Sequence, residues 1–329
     1  MLPLYCVILS YRYNYPTCNT NLKPLLRNLP PKSQFAKVLV LGIAMASNIG
    51  GMASPISSPQ NVIALQNMRP VPSWFEWFII SLPISILSIL SIWVFLLLSF
   101  RDIKSTVISP IRASKDSFTG VQYFISGVTL CTILLWCVAS QLNYIFGDMG
   151  IIAILPLVVF FGTGVLTKED FNNFLWTIIV LAMGGIALGK AVSSSGLLLT
   201  IAQAIQDAVS GFSLFSVFLV FGALILCVAS FISHTVAALI ILPIVAEIGE
   251  GMEDPHPRLL VMGSVLICSC AMALPTSGFP NMTAIMMENN VGSRYLTVKD
   301  FIYRGIPSSL IAYTLVATLG YVLMLAVDL

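Results

Sequence analysis

Three short polar stretches carry the residues that can do chemistry in this chain. "SPISSPQN" (54–61) crowds two prolines, three serines, a glutamine and an asparagine into eight positions of an otherwise apolar run. "LPTSGFPN" (274–281) repeats the theme, and "SHT" (233–235) places an imidazole between two hydroxyls. Proline and glycine free backbone carbonyls, and serine adds further hard oxygens, which together suit a cation such as Na⁺. Half-helix N-termini opposite them present bare N–H groups and a positive dipole end to an anion. Laid on each other without gaps, the two longer stretches match at Pro55 and Pro275, Ser57 and Ser277, and Asn61 and Asn281. Ala64 and Ala284 match three positions further on. Paired interruptions at corresponding places of two halves point to a transporter's midplane site, because irregular backbone inside a bilayer survives only where it is buried or lines a cavity. The plainer reading is a pair of Pro-kinked helices packed against neighbours.

Other chemistries fail for want of partners. Cys268 and Cys270 form C-x-C with no second Cys pair or His beside them, so the reading is no bound metal beyond a coupling Na⁺. The chain has no G-x-S-x-G and no H-E-x-x-H, and a Ser–His dyad between the neighbours Ser233 and His234 is geometrically poor. An enzyme is therefore not expected. His256, in "EDPHPR", reads as a loop residue, and Lys190 as a side chain reaching the interface from the end of an apolar run.

These stretches need a membrane around them. Of 329 residues, 57% are hydrophobic and 9% charged, against roughly 25% charged in soluble domains. A soluble core cannot hide that much apolar area, and a net charge of +2 gives no reason to expect nucleic acid. With about 20 apolar residues needed per crossing, the candidate spans fall at about 36–66, 76–100, 121–141, 149–166, 173–191, 213–232, 235–249, 259–287 and 303–327. The first and the eighth contain the two polar interruptions. The runs 213–232 and 235–249 meet at the SHT tip, either as a re-entrant hairpin or as two full spans. Arg12, Lys23, Arg27, Lys32 and Lys37 precede the first span, and Arg101, Lys104, Arg112 and Lys115 follow the second. The positive-inside rule places both loops in the cytoplasm and, counting onward, the C-terminus outside.

"ASNIGGMASPISSPQN" (46–61), "SHTVAALIILPIV" (233–245) and "CAMALPTSGFPNMTAI" (270–285) resemble the divalent anion:sodium symporter superfamily, with wording closest to its fungal low-affinity phosphate transporters. "PLLRNLPPKSQFAK" (24–37) and "SSLIAYTLVATLGYVLM" (308–324) extend the resemblance over residues 24–329. It implies an all-α membrane protein with an inverted-repeat transporter fold, broken helices and a re-entrant hairpin, the first repeat being incomplete. Its parts would be a divergent stretch 1–23, the remainder of the first repeat at 24–100, a cytoplasmic connector at 101–120 and the second repeat at 121–329.

By the same resemblance, Ser58, Ser233, His234, Thr235, Gly278 and Phe279 would bind substrate, and Ser57, Asn61, Ser277 and Asn281 a cation. His234 stands where the family usually carries Asn, and an imidazole there suits phosphate. The implied function is secondary active, alternating-access transport of inorganic phosphate or a similar divalent oxyanion, with Na⁺ or H⁺ as coupling ion and no other cofactor. Dicarboxylate, sulfate or arsenite transport, or a truncated membrane partner that does not itself transport, are the alternatives. The resemblance further implies a homodimer in the plasma membrane or the vacuolar membrane.

Overall fold

A computed structural model describes residues 26, 33–100, 119–138, 149–172, 194–196, 212–252, 254–289 and 292–329, with a few single positions besides. The stretch 1–23, nearly all of the connector 101–120, and most of the 173–191 run with Lys190 lie outside the described residues.

The first apolar run forms two helices, α1 (Gln34–Gly50) and α2 (Pro59–Gln66), separated at 51–58. Pro59 starts α2 at a position where its missing N–H costs nothing. Then come α3 (Trp74–Ser99), α4 (Gly120–Cys137), α5 (Met149–Gly162) and the short α6 (Lys168–Asn172). Next are α7 (Leu214–Phe231) and α8 (His234–Glu250), joined by Ile232 and Ser233 alone. A second interrupted pair, α9 (Pro257–Cys270) and α10 (Phe279–Ile285), is separated at 271–278. The chain ends in α11 (Val298–Leu315), which continues through a π-helical turn at Val316–Gly320 into α12 (Tyr321–Ala326). Among the described residues the regular structure is helical, apart from one isolated bridge between Glu288 and Arg294. One boundary differs from the sequence reading: α8 begins at His234, so His234 and Thr235 are its first helical residues and not part of a turn.

Among the described residues, four helices are long and apolar enough to cross a membrane: Trp74–Ser99, Gly120–Cys137, Leu214–Phe231 and the continuous Val298–Ala326. At about 1.5 Å per residue, the 26 residues of α3 extend about 39 Å, beyond the ~30 Å of hydrocarbon in a bilayer. Its outward stripe is apolar: Phe75, Ile79, Leu82, Ile86, Leu90, Trp93 and Leu97 are all exposed at helical spacing. Its inward stripe mixes Trp77, Ile80 and Ile84 with the buried hydroxyls of Ser81, Ser85 and Ser88. The greasier face looks outward, as it must when the solvent is lipid.

The middle of the packing is α9, in which every residue from Leu259 to Cys270 is buried. It packs against α1, α2, α7, α8 and α11. The interrupted helices exchange partners: α2 lies on α8 and α9, while α10 lies on α1. Gly305 of α11 lets that helix approach the second interruption, since a Cβ there would fall 2.3 Å from the Met272 carbonyl oxygen. Helices α4 and α5 pack on each other around Ile125, Phe160 and Leu166, and Trp74 stacks on Trp136 at 6.1 Å where α3 meets α4.

Candidate functional site

A helix broken inside a membrane frees carbonyls and amides, and each left unpaired there costs several kcal/mol. At both breaks an asparagine one turn into the following helix answers most of that demand. Asn61 donates through Nδ2 to the carbonyls of Gly51 (2.8 Å) and Ser54 (2.7 Å), and more weakly to Ser57 Oγ (3.4 Å). Asn281 donates to the carbonyls of Met272 (3.4 Å) and Leu274 (3.0 Å) and to Ser277 Oγ (3.0 Å). Ser57 and Ser277 each donate their own hydroxyl back three residues, to Ser54 O at 2.9 Å and Leu274 O at 2.8 Å. Both breaks run for eight residues and end on an extended residue, Ser58 (φ −141°) and Gly278 (φ −154°). Neither of these caps its helix with a side chain. The correspondence therefore reaches further than the polar residues alone suggest, adding Met52 with Met272 and Ala53 with Ala273.

The long helix that follows each broken helix supplies outside support. Trp77 of α3 donates to Met52 O at 3.0 Å, and Ser81 to Ala53 O at 3.1 Å. Ser309 of α11 accepts from the buried amide of Met272 at 2.8 Å.

The tip residues meet the second break. His234 donates its backbone N–H to Ser277 O (2.9 Å), and its ring Nε2 lies 2.7 Å from Ala271 O. Thr276 Oγ1 donates to Phe231 O at 3.2 Å. His234 is 5% exposed, whereas Ser233 and Thr235 on either side are only half-buried. Gly278 is buried against His234 and Asn48. Phe279 begins α10 with a side chain 60% exposed, so of the residues expected to bind substrate it stands furthest out. Ser57 and Ser58 are half-buried within the first break, and Asn61 and Ser277 are fully buried.

Two cross-links join the breaks. Asn48, near the end of α1, donates Nδ2 to Asn281 Oδ1 at 2.7 Å, and Gln60 of α2 donates to Ser269 of α9 at 3.2 Å. Asn48 and Gln60 are both 4% exposed. Sequence reasoning singled out neither, nor Trp77, Ser81 or Ser309. The available signal was an amide in an apolar helix three residues ahead of Gly51, a position too costly for Asn unless it bonds across helices.

Among the described residues no group of three His, Cys, Asp or Glu side chains could hold a metal. Cys268 and Cys270 are buried free thiols. His256 is paired with exposed Asp254 at 3.2 Å, in keeping with a loop residue.

A model of the citrate transporter family matches residues 20–265 and 148–327, so the match takes in both breaks and the tip. The chain belongs to the citrate transporter family. Several fungal transporters are similar to it over nearly the whole chain. An uncharacterized transporter of Schizosaccharomyces pombe is 60% identical over 94% of this chain and 36% of its own length. The Saccharomyces cerevisiae inorganic phosphate transporter PHO87 is 52% identical over 91% of this chain and 33% of its own length. The low-affinity phosphate transporter PHO90 of the same yeast is 49% identical over 93% and 35%. This citrate transporter family chain thus spans about a third of the length of the curated relatives it matches. The resemblance to fungal low-affinity phosphate transporters and the integral membrane setting are both borne out.

Proposed function

We propose that this chain forms the substrate-handling part of a secondary active transporter that moves inorganic phosphate, or a similar divalent oxyanion, by alternating access. The observation that carries the reading is identity of 52% and 49% to two phosphate transporters across more than nine-tenths of the chain. The α7–α8 pair is read as a re-entrant hairpin, and the two broken helices as equivalent members of inverted repeats. The matched Asn–Ser networks and the exchange of partners between α2 and α10 support that reading.

In this scheme the anion meets Ser58, Ser233, His234, Thr235, Gly278 and the backbone at Phe279. The first turn of α8 offers it N–H groups and a positive dipole end. A coupling Na⁺ would use the oxygens around Ser57 and Asn61 and around Ser277 and Asn281. Asn61 Oδ1 is buried without a partner, while its Nδ2 faces the carbonyls of Gly51 and Ser54. Turning that amide over would give a cation an all-oxygen cage. With H⁺ as the driving ion, these networks would serve structure alone. Assembly as a homodimer rests on the resemblance.

The test places this chain in the matching third of PHO87, in cells stripped of other phosphate uptake. Ser277→Leu is expected to lower labelled phosphate uptake at least tenfold at equal surface level; unchanged uptake would remove the site assignment. A second reading, citrate or a dicarboxylate as substrate, is favoured by the family's description and by the name of a more distant relative, a sodium-dependent dicarboxylate transporter. Competition of phosphate uptake by citrate and succinate separates the two.

A further inference from the structure

The hydrogen bonds around Gly278 fix which atoms a ligand would meet there. The carbonyls of Met272 and Leu274 only accept, so Asn281 must turn Nδ2 toward them and Oδ1 away. Asn281 Oδ1 then requires a donor from Asn48, which presents Nδ2 to it at 2.7 Å. That leaves Asn48 Oδ1, on a side chain 4% exposed, without a hydrogen-bond partner. The same reasoning fixes the ring: Ala271 O accepts, so His234 Nε2 carries a proton, and in the neutral ring Nδ1 is a bare acceptor.

Both acceptors converge on one point. A Cβ at residue 278 would lie 2.8 Å from Asn48 Oδ1 and 3.3 Å from His234 Nδ1. The backbone at Gly278 is extended, which any residue adopts, so glycine is needed there for space and not for conformation. By resemblance an imidazole at this position suits phosphate; with Nε2 engaged by Ala271 O, the other side of the ring meets a ligand as an acceptor.

We infer that the cradle of Asn48, His234 and Gly278 selects an oxyanion that still carries a hydroxyl proton, phosphate over sulfate. The inference rests on the phosphate reading above and deepens it. A P–OH group donates to Asn48 Oδ1 or His234 Nδ1, while sulfate near neutrality has only acceptors and would face two lone pairs with nothing to share. Sites built around a substrate hydroxyl reject analogues lacking it far more strongly than apolar pockets reject a missing methylene. The proton crosses as part of the anion, so no separate protein carrier is needed for it.

Surrounding ionisable groups are few, and α11, which packs on the second break, carries its own, Lys299, Asp300 and Arg304, in its first two turns. No Asp, Glu, Lys or Arg lies on 271–278, α2, α7 or α10, and on α1 the one charged residue is Lys37, near its far end. The charged residues Glu247, Glu250 and Arg258 sit at the ends of α8 and α9 remote from the tip, and the nearest thiols, Cys268 and Cys270, are buried in α9.

The experiment measures phosphate uptake by the PHO87 chimera from mildly acidic to mildly alkaline pH, with sulfate as competitor. Expected is a KM for total phosphate that changes less than about threefold across this range, because monobasic and dibasic phosphate both keep a P–OH group. Sulfate should compete at least a hundredfold more weakly than phosphate, and equally weakly at every pH. Competition by sulfate that matches phosphate, or that grows as pH falls, overturns the inference and leaves phosphate transport standing; the second pattern would mark ring protonation as the cause. Absence of phosphate uptake at every pH removes both. Gly278→Ala, which fills the cradle, should raise KM at least tenfold at equal surface level. His234→Asn, which can turn an amide donor into the cradle, should narrow the phosphate-to-sulfate preference at least tenfold; a preference unmoved by both variants sinks the assignment.

Discussion

The two broken helices are built alike and employed differently. Each is held open by an asparagine and a serine that bond its loose carbonyls, at nearly the same distances. Beyond that inner network they diverge. The first break leans on α3 through Trp77 and Ser81. The second takes its support from α11 and meets the α8 tip through Ala271, Ser277 and Gly278. Position by position the small residues trade places, Gly51 and Ser58 against Ala271 and Gly278. At the first break Ser58 crowds Gly51, where an added Cβ would sit 2.4 Å from Ser58 Oγ; at the second the glycine faces His234 and Asn48. Keeping a helix open in a membrane thus takes a common device. What differs is the residue set standing at the opening.

The sharpest way to test that separation is to remove each asparagine in turn. Asn281→Ala strips donors from two carbonyls and a hydroxyl and leaves Asn48 without its acceptor. Asn61→Ala strips a similar set but releases no residue of the cradle. With about 1–3 kcal/mol lost per buried group left unpaired, both variants should melt lower, Asn281→Ala by more. Phosphate uptake per surface molecule should fall at least a hundredfold in Asn281→Ala and only about tenfold in Asn61→Ala. Equal losses would mean that the breaks share the binding work evenly, and the comparison would dissolve.

Much of this architecture was legible in the residues. The apolar runs and their two polar interruptions gave helices and breaks within a few positions, because lipid leaves a long apolar segment no other way to satisfy its backbone. Identical residues at 57 and 277 and at 61 and 281 singled out the side chains that bond within each break, though under a cation-binding reading. Asn48 escaped notice because nothing in its neighbourhood says that it reaches 233 positions along the chain to Asn281. Trp77 and Ser81 looked like ordinary helix content, since the carbonyls they serve become needy only once the first helix stops at Gly50. The orientation of the His234 ring depends on Ala271 O, a backbone atom with no signature in side-chain types.

The outside supports give a smaller, graded effect. Ser309→Ala leaves the buried Met272 amide without an acceptor, and an amide has a single proton to place. Ser81→Ala removes one donor from Ala53 O, a carbonyl with a second lone pair. Thermal melting in detergent should show a loss of about 2 kcal/mol for Ser309→Ala and about half that for Ser81→Ala. The reverse order would place the more demanding break at 51–58.

The smallest effects should come from the ion pairs at the helix starts, which repeat the exchange between the two halves. Lys37, in the first turn of α1, pairs with Asp300 at 3.5 Å, and Asp300 is also the residue that accepts from the Thr297 amide to start α11. Arg258, at the start of α9, pairs with Glu76 at 3.8 Å, and Glu76 likewise accepts from the Ser73 amide to start α3. Each broken helix is thus tied to the long helix that follows the other one. Asp300 also holds Arg304 at 3.2 Å, and that guanidinium lies 3.7 Å from the Phe100 ring centre. A carboxylate with two cations keeps one when the other is lost. Lys37→Ala and Arg258→Ala should therefore each cost no more than about 1 kcal/mol, the usual range for partly exposed pairs, and the cost should shrink in high salt. Charge reversal separates tethering from incidental contact. Lys37→Glu should slow uptake two- to fivefold, and adding Asp300→Lys should restore part of it if the link between α1 and α11 matters during the transport cycle. Rescue at the Lys37–Asp300 end without rescue by the matching exchange at Arg258 and Glu76 would show that the two ends, alike in construction, are unequal in use.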